Sequence, residues 1–299
     1  MIRARQVLRP ARYIRSLCQR LRKPNARYAK IGRYQIRLPA NGQLLDYKAA
    51  FSLYDTALGK IASVLRVKYP GLRAIDVGAN VGDTAALIRE FGDIPVLCIE
   101  GDPSLLPLLQ ENVVRLGPGL EIEHSFVGPD GAGINLGVAD GLGRNACLAE
   151  AVDERGAVKL RSLRTILASH PDFAGSKLLK TDTEGFDFDI LRQSLEFIRR
   201  ARPVVFSEYD PHFRPAEGRA GPDTIRLLVD AGYSDLIYYD NFGNFLLHIE
   251  ANCQRIVDDL DAYLASNRRH GIAVHYFDIC ALHQEDSDLV PAIRALTQK

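Results

Sequence analysis

This sequence lacks long apolar runs and paired cysteines, and both absences exclude classes of protein. No stretch of its 299 residues approaches the run of about 18 apolar residues that a membrane-spanning helix needs, so we expect no such helix. The N-terminus also lacks the apolar segment of a secretory signal. The cysteines are odd in number and form no C-x-x-C pair, which favours reduced thiols in a cytosolic protein. They are Cys18, Cys98, Cys147, Cys253 and Cys280.

Acidic side chains are absent from residues 1–37, although this segment holds 12 of the 38 Lys and Arg residues. The remainder has 26 basic against 37 acidic side chains, a balance of −11, while the whole chain has a net charge of only +1. A basic extension therefore precedes a mildly acidic body. Because nucleic acid is bound mainly through its phosphates, we expect no nucleic-acid partner for such a body.

Three interpretations of the basic extension stay open. Its arginines alternate with apolar residues at helical spacing, which is typical of an interfacial helix on an anionic membrane surface. Pro10 and Pro24 interrupt such a helix, which favours a solvated extension that packs on the body. An Arg-rich start without acids also resembles an organellar transit peptide. We expect a cytoplasmic protein, peripheral at the membrane if the first interpretation holds.

The centre of the sequence is a strand, a glycine turn, a helix and a second strand. Ala74–Val77 and Val96–Ile99 are short apolar runs of the kind that form buried strands. Gly78 and Gly82 bracket the turn, and Glu100 follows the second strand. This arrangement predicts the first half of a nucleotide-binding α/β unit.

The spacing of the glycines indicates which nucleotide is bound. A dinucleotide fingerprint has a third glycine, and its pyrophosphate lies on the helix N-terminus. Here Asp76 and Asp83 flank the turn and would repel a pyrophosphate, so they favour a ligand with positive charge, such as S-adenosylmethionine (SAM). Glu100 could then accept hydrogen bonds from both ribose hydroxyls. An ordinary turn without a ligand is the alternative, since the glycine pattern alone is weak.

Three further strands are predicted, and two of them are followed by acids. Residues 120–127 form the third strand, with Ser125 and Phe126 near its carboxyl end, where an adenine could be met; a core aromatic is the alternative for Phe126. Residues 177–180 form the fourth and residues 203–206 the fifth. Polar side chains that follow these last two strands are Asp182, Glu184, Glu208 and His212. The carboxyl ends of parallel strands are where α/β sheets bind ligands, so we expect these groups in one crevice.

Residues 235–239 and 245–249 read as a hairpin, which is unusual for a dinucleotide domain and expected at the end of a class I methyltransferase sheet. At this point the chain resembles the FkbM-type SAM-dependent methyltransferases over about residues 70–250. The resemblance is carried by Asp76-Val-Gly-Ala-Asn-Val-Gly82, Ile99-Glu-Gly-Asp-Pro103, Leu179-Lys-Thr-Asp-Thr-Glu-Gly185 and Pro203-Val-Val-Phe-Ser-Glu208. It implies a doubly wound, mostly parallel, seven-stranded sheet with a terminal antiparallel hairpin. We assign residues 1–45 to the basic extension and residues 46–299 to the methyltransferase domain.

The resemblance also implies O-methylation, often of a sugar, a glycan or another natural product. By that likeness Asp76, Gly78, Asn80 and Gly82 hold the methionine end of SAM and Glu100 its ribose, while Asp182, Glu184 and Glu208 face the reaction centre. Together with the positions expected from the strand ends, this gives two sets of candidate residues. Residues expected to hold SAM are Asp76, Gly78, Ala79, Asn80, Gly82, Asp83, Thr84, Glu100, Gly101, Asp102, Ser125 and Phe126. Those expected at the reaction centre are Asp182, Glu184, Glu208 and His212. The chain departs from the family at Arg164, where the family usually has an acid, and at Gly101, where it often has proline.

A sugar hydroxyl is a weak acid, so its methylation needs a base or a metal ion. Asp182 is our candidate base, with Glu208 or His212 as alternates. Mg²⁺ held by the acids is an alternative that their irregular spacing does not favour, and we assign no metal ligands. Two other functions stay open: an NAD-dependent oxidoreductase acting on a sugar nucleotide, and a non-catalytic binding protein on a methyltransferase fold.

Overall fold

The computed structural model describes residues 27–39, 44–136, 146–148, 158–183, 185–211 and 220–298. Its strands are β1 (Arg27–Ile31), β2 (Tyr34–Leu38), β3 (Ala74–Val77), β4 (Val96–Ile99), β5 (Leu120–Glu123), β6 (Phe126–Val127), β7 (Gly133–Leu136), β8 (Ala146–Leu148), β9 (Val158–Arg161), β10 (Leu178–Thr181), β11 (Val204–Tyr209), β12 (Tyr233–Asp240), β13 (Phe245–Glu250) and β14 (Phe277–His283). Its α-helices are α1 (Leu44–Ala50), α2 (Thr56–Lys68), α3 (Asp83–Ile88), α4 (Leu106–Leu116), α5 (Leu163–Ser169), α6 (Asp187–Gln193), α7 (Leu195–Ala201), α8 (Ala220–Asp230), α9 (Gln254–His270) and α10 (Val290–Thr297). In this part of the chain, no helix has both the length and the hydropathy to cross a membrane.

Eight strands of the described residues form one sheet in the order β13–β12–β14–β11–β10–β3–β4–β5. The strands from β11 to β5 pair in parallel, whereas β14, β12 and β13 pair antiparallel with their neighbours. The predicted doubly wound, mostly parallel class I fold with an antiparallel hairpin is confirmed. The sheet has one strand more than the predicted seven, and β14 enters it between β11 and the hairpin β12–β13.

Both faces of the sheet are covered, which is why its central strands read as continuous apolar runs. Every residue of β3, β4 and β10 is buried. Successive side chains of a strand point to opposite faces, so Leu178 packs in a core with α2, α3, α4 and α10, and Leu179 packs in a second core with helices α5 to α9. The loops at the carboxyl ends of β3, β4, β10 and β11 are thereby held by two packed layers.

The hairpin β1–β2 packs on the same body, although it lies within the predicted basic extension. Ala29, Ile31 and Ile36 of the hairpin are buried in the core that contains α2 and α3. Asn112 of α4 accepts the Arg37 amide at 2.7 Å and donates to the Arg37 carbonyl at 2.8 Å. The division of the chain at residue 45 stays a prediction, and residues 1–26 lie outside the described part.

Three predicted elements differ from the structure. The predicted third strand is two pieces, because residues 124 and 125 leave the ladder and β6 pairs with β9 in a second sheet. The sequence after the fourth strand predicts one helix over about residues 187–200, but this helix is broken at Ser194, which lies between α6 and α7. The pair Asp102-Pro103 is typical of a helix start and predicts Asp102 as the N-cap of α4, but the helix begins at Leu106, and Asp102 instead accepts the Ser104 amide at 2.8 Å.

Candidate active site

The turn between β3 and α3 is built on left-handed backbone conformations. Gly78 has φ 76°, Asn80 has φ 50° and Gly82 has φ 86°. A Cβ on Gly78 would lie 2.0 Å from the carbonyl oxygen of Asp182, so only glycine fits where the turn meets the end of β10. The amide of Gly78 donates to the carbonyl of Ile99 at 3.0 Å, which ties the turn to β4. The predicted glycine turn therefore adjoins the ends of two neighbouring strands.

Glu100, which follows β4, lies against this turn. Its Oε2 accepts the Asn80 amide at 2.8 Å and its Oε1 accepts the Asp102 amide at 2.7 Å. Burial raises the pKa of Glu100, and these two backbone hydrogen bonds oppose that rise. Each carboxylate oxygen keeps a further lone pair, so a pair of ribose hydroxyls could still donate to it.

Asp76 is fully buried, and both of its oxygens have a partner inside the protein. Thr84 Oγ1 donates to Asp76 Oδ2 at 2.5 Å, and the ammonium of Lys180 lies 3.1 Å from Oδ1. The Asp76 carboxylate therefore supports the turn from beneath. Asp83 begins α3, and burial raises its pKa, opposed by the nearby charge of Lys180.

Lys180 is a site residue that the sequence reasoning missed. It lies in β10, is 2% exposed, and donates to the Gly78 carbonyl at 3.0 Å. Burial lowers the pKa of Lys180, but the charges of Asp76 and Asp182 outweigh burial and raise it above its usual value. A lone lysine inside an apolar strand was the available signal, since a buried lysine needs an anionic partner.

Carboxyl groups from four separate segments gather beside the end of β10. Asp182 follows β10, and its side chain is 53% exposed. The structure extends β11 to Tyr209, three residues beyond the predicted end, so Glu208 lies within a strand and faces Asp278 of β14 in register. Asp55, which precedes α2, completes the group. Asp55, Asp182 and Asp278 line one small cavity together with Leu58, Thr84, Lys180, Thr181 and Phe206.

These carboxyl groups differ in their tendency to ionise. Burial, together with the charges of Asp182 and Asp187, raises the pKa of Glu208 well above its usual range. Burial likewise raises the pKa of Asp278 well above its usual range, that of Asp55 to about 7 and that of Asp187 to about 6. Glu208 and Asp278 therefore favour the protonated form, in which a carboxyl group donates a hydrogen bond and cannot accept a proton.

Phe126 lies over the chain that follows Glu100. A Cβ on Gly101 would approach the Phe126 ring to 2.3 Å, so the ring packs directly on the Gly101 backbone. This close approach explains why glycine stands where proline is common in the family. Ser125 is buried beside it, and its hydroxyl lies next to the Glu123 carboxylate. Ser125 and Phe126, the two residues predicted to meet an adenine, thus lie next to Glu100, the residue predicted to bind the ribose.

Of the remaining predicted residues, two are buried in the turn and in α3, and two lie outside the described part of the chain. Ala79 and Thr84 are buried within the turn and the start of α3. Glu184 and His212 lie outside the described residues. Among the residues that the structure describes, no group of three or more His, Cys, Asp or Glu side chains is arranged to hold a metal ion. Mg²⁺ dependence therefore stays a question for experiment.

The comparisons with known proteins point in one direction. The model of the methyltransferase FkbM domain family matches residues 76–234, more than half of the chain. A search of curated proteins finds no matching sequence. Among solved structures, the methyltransferase FkbM of Methylobacillus flagellatus KT is 17% identical with a TM-score of 0.40, and the match covers 55% of this chain and 39% of that one. This chain thus spans well under half of the length of that protein.

Two further structures show the same range of similarity. A putative O-methyltransferase from Klebsiella pneumoniae is 10% identical with a TM-score of 0.41, covering 91% of this chain and 96% of that one. The fibrillarin of Aeropyrum pernix, solved with natively bound SAM, is 13% identical with a TM-score of 0.33, covering 55% and 58%. These TM-scores are too low to argue from, so the assignment rests on the family model and on the turn described above. The chain belongs to the FkbM family of SAM-dependent methyltransferases.

Proposed function

We propose that this protein transfers the methyl group of SAM to a hydroxyl oxygen of a sugar, a glycan or a related natural product. The observation that supports this most is the position of Asp182, a half-exposed carboxyl group beside the Gly78 turn, next to a cavity lined by further polar groups. SAM supplies a methyl group already activated by its sulfonium. The protein then needs only to align the acceptor and to remove its proton.

The residues around the turn fit SAM. Gly78 lets the turn pack directly against the backbone of Asp182, and the methionine end of SAM would lie along this turn. Glu100 has free lone pairs for the ribose hydroxyls, and Phe126 offers an apolar face for the adenine. Because Asp76 is already paired with Lys180, Asp182 is the better placed carboxylate for the ammonium group or for the acceptor.

Asp182 is the base in this proposal. The acceptor hydroxyl gives its proton to the Asp182 carboxylate while its oxygen bonds to the methyl carbon, and the carbon–sulfur electron pair stays with sulfur. Glu208 is in hydrogen-bond contact with Asp182, and in its protonated form it donates to that carboxylate and orients it. The raised pKa of Glu208 argues against the alternative in which Glu208 itself accepts the proton.

The test is transfer of a radiolabelled methyl group from SAM to fractionated cell glycans and lipids, which identifies the acceptor fraction. Asp182→Asn keeps the shape and removes the basicity, so we expect transfer to fall by about 10²–10⁴-fold with unchanged SAM affinity. Asp189→Asn is the matched control, because Asp189 follows in the same acidic segment but pairs with Arg192 at 2.5 Å.

Other outcomes would change the proposal. Wild-type transfer by the Asp182→Asn variant at saturating SAM would remove Asp182 as base. Loss of wild-type transfer on chelation would support the Mg²⁺ alternative. Methyl labelling of no fraction, with SAM still bound, would support the non-catalytic alternative. Spectral changes with NADH in place of SAM would favour the oxidoreductase, which the family assignment argues against.

A further inference from the structure

Lys180 occupies a position that the proposed function does not yet use. It is enclosed in β10, where its ammonium group lies 3.1 Å from Asp76 Oδ1, 3.0 Å from the Gly78 carbonyl oxygen and 3.8 Å from Asp182 Oδ2. A weaker contact at 3.4 Å reaches the carbonyl of Val77. The ammonium group of Lys180 therefore lies close to three parts of the site: Asp76 beneath the turn, Gly78 in the turn, and the candidate base Asp182.

Lys177, the other lysine in or next to β10, has different contacts from Lys180. It lies just before β10, three residues from Lys180, and its ammonium group donates to the Ala201 carbonyl at 2.7 Å. It also lies over the ring of Tyr69. Lys177 thus makes structural contacts at the other end of the strand, away from Asp182.

The surroundings of Asp182 make a neighbouring cation important. Most of the titratable groups that interact electrostatically with Asp182 are carboxylic acids or phenols, and they come from several elements of the fold. They are Tyr54 and Asp55 before α2, Asp187 in α6, Glu208 in β11, and Tyr276 and Asp278 at β14, against Lys180 on the same strand. Glu208 and Asp278 favour the uncharged form, but any of these groups that ionises would disfavour the charge on Asp182. The ammonium group of Lys180 at 3.8 Å, by contrast, favours that charge.

We propose that Lys180 is a positioning residue for methyl transfer: its ammonium group joins Gly78 and Asp76 to Asp182 and keeps the Asp182 carboxylate charged and in place beside the turn. This inference rests on the proposed function, since Asp182 is the base there. Lys180 touches neither methyl group nor acceptor in this role. It acts through Asp182, whose ionisation is what the reaction uses.

The test measures the ionisation of Asp182 directly, without cofactor or acceptor. Protein labelled with ¹³C at the aspartate carboxyl carbons is titrated by NMR, and the Asp182 signal is assigned by its absence in Asp182→Asn. Removing Lys180 alone would leave the buried Asp76 without a cation, so the comparison is made between Asp76→Asn and Asp76→Asn/Lys180→Met. We expect the midpoint of the Asp182 titration to rise by about one pH unit or more when Lys180 is removed.

The controls separate charge from fold. Asp76→Asn/Lys177→Met removes a cation from the same segment and should leave the Asp182 midpoint unchanged. Asp76→Asn/Lys180→Gln keeps a donor for the Gly78 carbonyl without the charge, should raise the midpoint in the same way, and serves if the methionine variant does not fold. An unmoved midpoint on loss of Lys180, or an equal shift on loss of Lys177, overturns the role of Lys180. Calorimetry of the wild-type protein with SAM tests the proposed function separately. If SAM does not bind, the proposed function is contradicted, while the titration still decides whether Lys180 acts on Asp182.

Discussion

The two sides of the crevice treat carboxyl groups in opposite ways. On the glycine-turn side, Glu100 accepts two backbone amides, and Asp76 is paired with Thr84 and Lys180. On the acid side, Glu208 and Asp278 face each other across neighbouring strands, and burial raises the pKa of both. The first side has its charges matched by local partners, whereas the second gathers more carboxyl groups than the cations beside it can balance.

This difference indicates a division of labour. A side whose charges are already matched is organised before any ligand arrives, which suits a cofactor that always binds in the same way. A side with closely spaced carboxyl groups of shifted pKa is suited to holding and moving protons. Asp182 lies where the two sides meet, beside Lys180 from one and Glu208 from the other.

The largest effect is expected from Gly78→Ala, which would break the glycine-turn side. A left-handed conformation costs a non-glycine residue about 1–3 kcal/mol, and the overlap with the Asp182 carbonyl adds to it, so we expect the free energy of unfolding to fall by about 3–5 kcal/mol. Urea denaturation measures this, and SAM affinity should fall with it. Gly71→Ala is the control, because a Cβ there meets nothing within 4 Å. Equal stability of both variants would contradict a tight turn.

Glu100→Ala should weaken binding of SAM and of its demethylated product by about 2–4 kcal/mol, because two charge-assisted hydrogen bonds to the ribose are lost. The same change leaves the Asn80 and Asp102 amides without their acceptor. Glu100→Gln keeps an acceptor oxygen and should fall between the alanine variant and wild type. Calorimetry that finds unchanged affinity for Glu100→Ala would remove Glu100 from the ribose site.

Asp187→Asn sharpens the comparison from the acid side. The pKa of Asp187 is raised from 3.8 to about 6 in the folded protein, mainly by burial. The folded state therefore binds more protons than the unfolded state between these values, and stability contributed by the protonated form is lost as the pH rises towards about 6. The asparagine side chain of this variant would still accept the Thr183 amide that now donates to Asp187.

We compare the free energy of unfolding of Asp187→Asn with that of wild type at two pH values. The difference, variant minus wild type, should be roughly 2 kcal/mol more favourable to the variant at pH 8 than at pH 4. Urea denaturation at both pH values measures the difference. Asp189→Asn, from the same helix turn, should show no such gain. A gain of the same size at both pH values would mean that the charge of Asp187 is not what opposes folding.

The smallest effect is expected from removing part of the basic extension. Removing residues 1–26 should leave SAM affinity and unfolding free energy unchanged, while binding to anionic vesicles falls if the basic extension contacts membranes. Removing residues 1–32 also deletes β1 with the buried Ala29 and Ile31, and should destabilise the protein. Sedimentation with vesicles at low salt measures the first effect, and equal binding by full-length and shortened protein would exclude the membrane interpretation.

Local sequence was enough to predict the glycine-turn side. Gly78, Gly82 and Glu100 belong to one short strand–turn–helix–strand unit, and the physical demands of that unit can be recognised along the chain. The mostly parallel fold followed from the order of apolar runs and the late hairpin. Predictions of strand ends were less accurate, because the last residues of a strand are decided by the partner strand, as pairing with β14 extends β11 to Tyr209.

The acid side was decided by tertiary structure. Asp55, Asp182, Glu208 and Asp278 come from four distant segments, and only the strand order brings them to one edge of the sheet. The role of Lys180 is likewise invisible in a strand pattern, because its partners lie on the neighbouring strand β3 and in its turn. The sequence by itself determined the fold class, the family and the residues of the turn. Tertiary structure decided how readily each carboxyl group ionises, since burial and neighbouring charge shift its pKa.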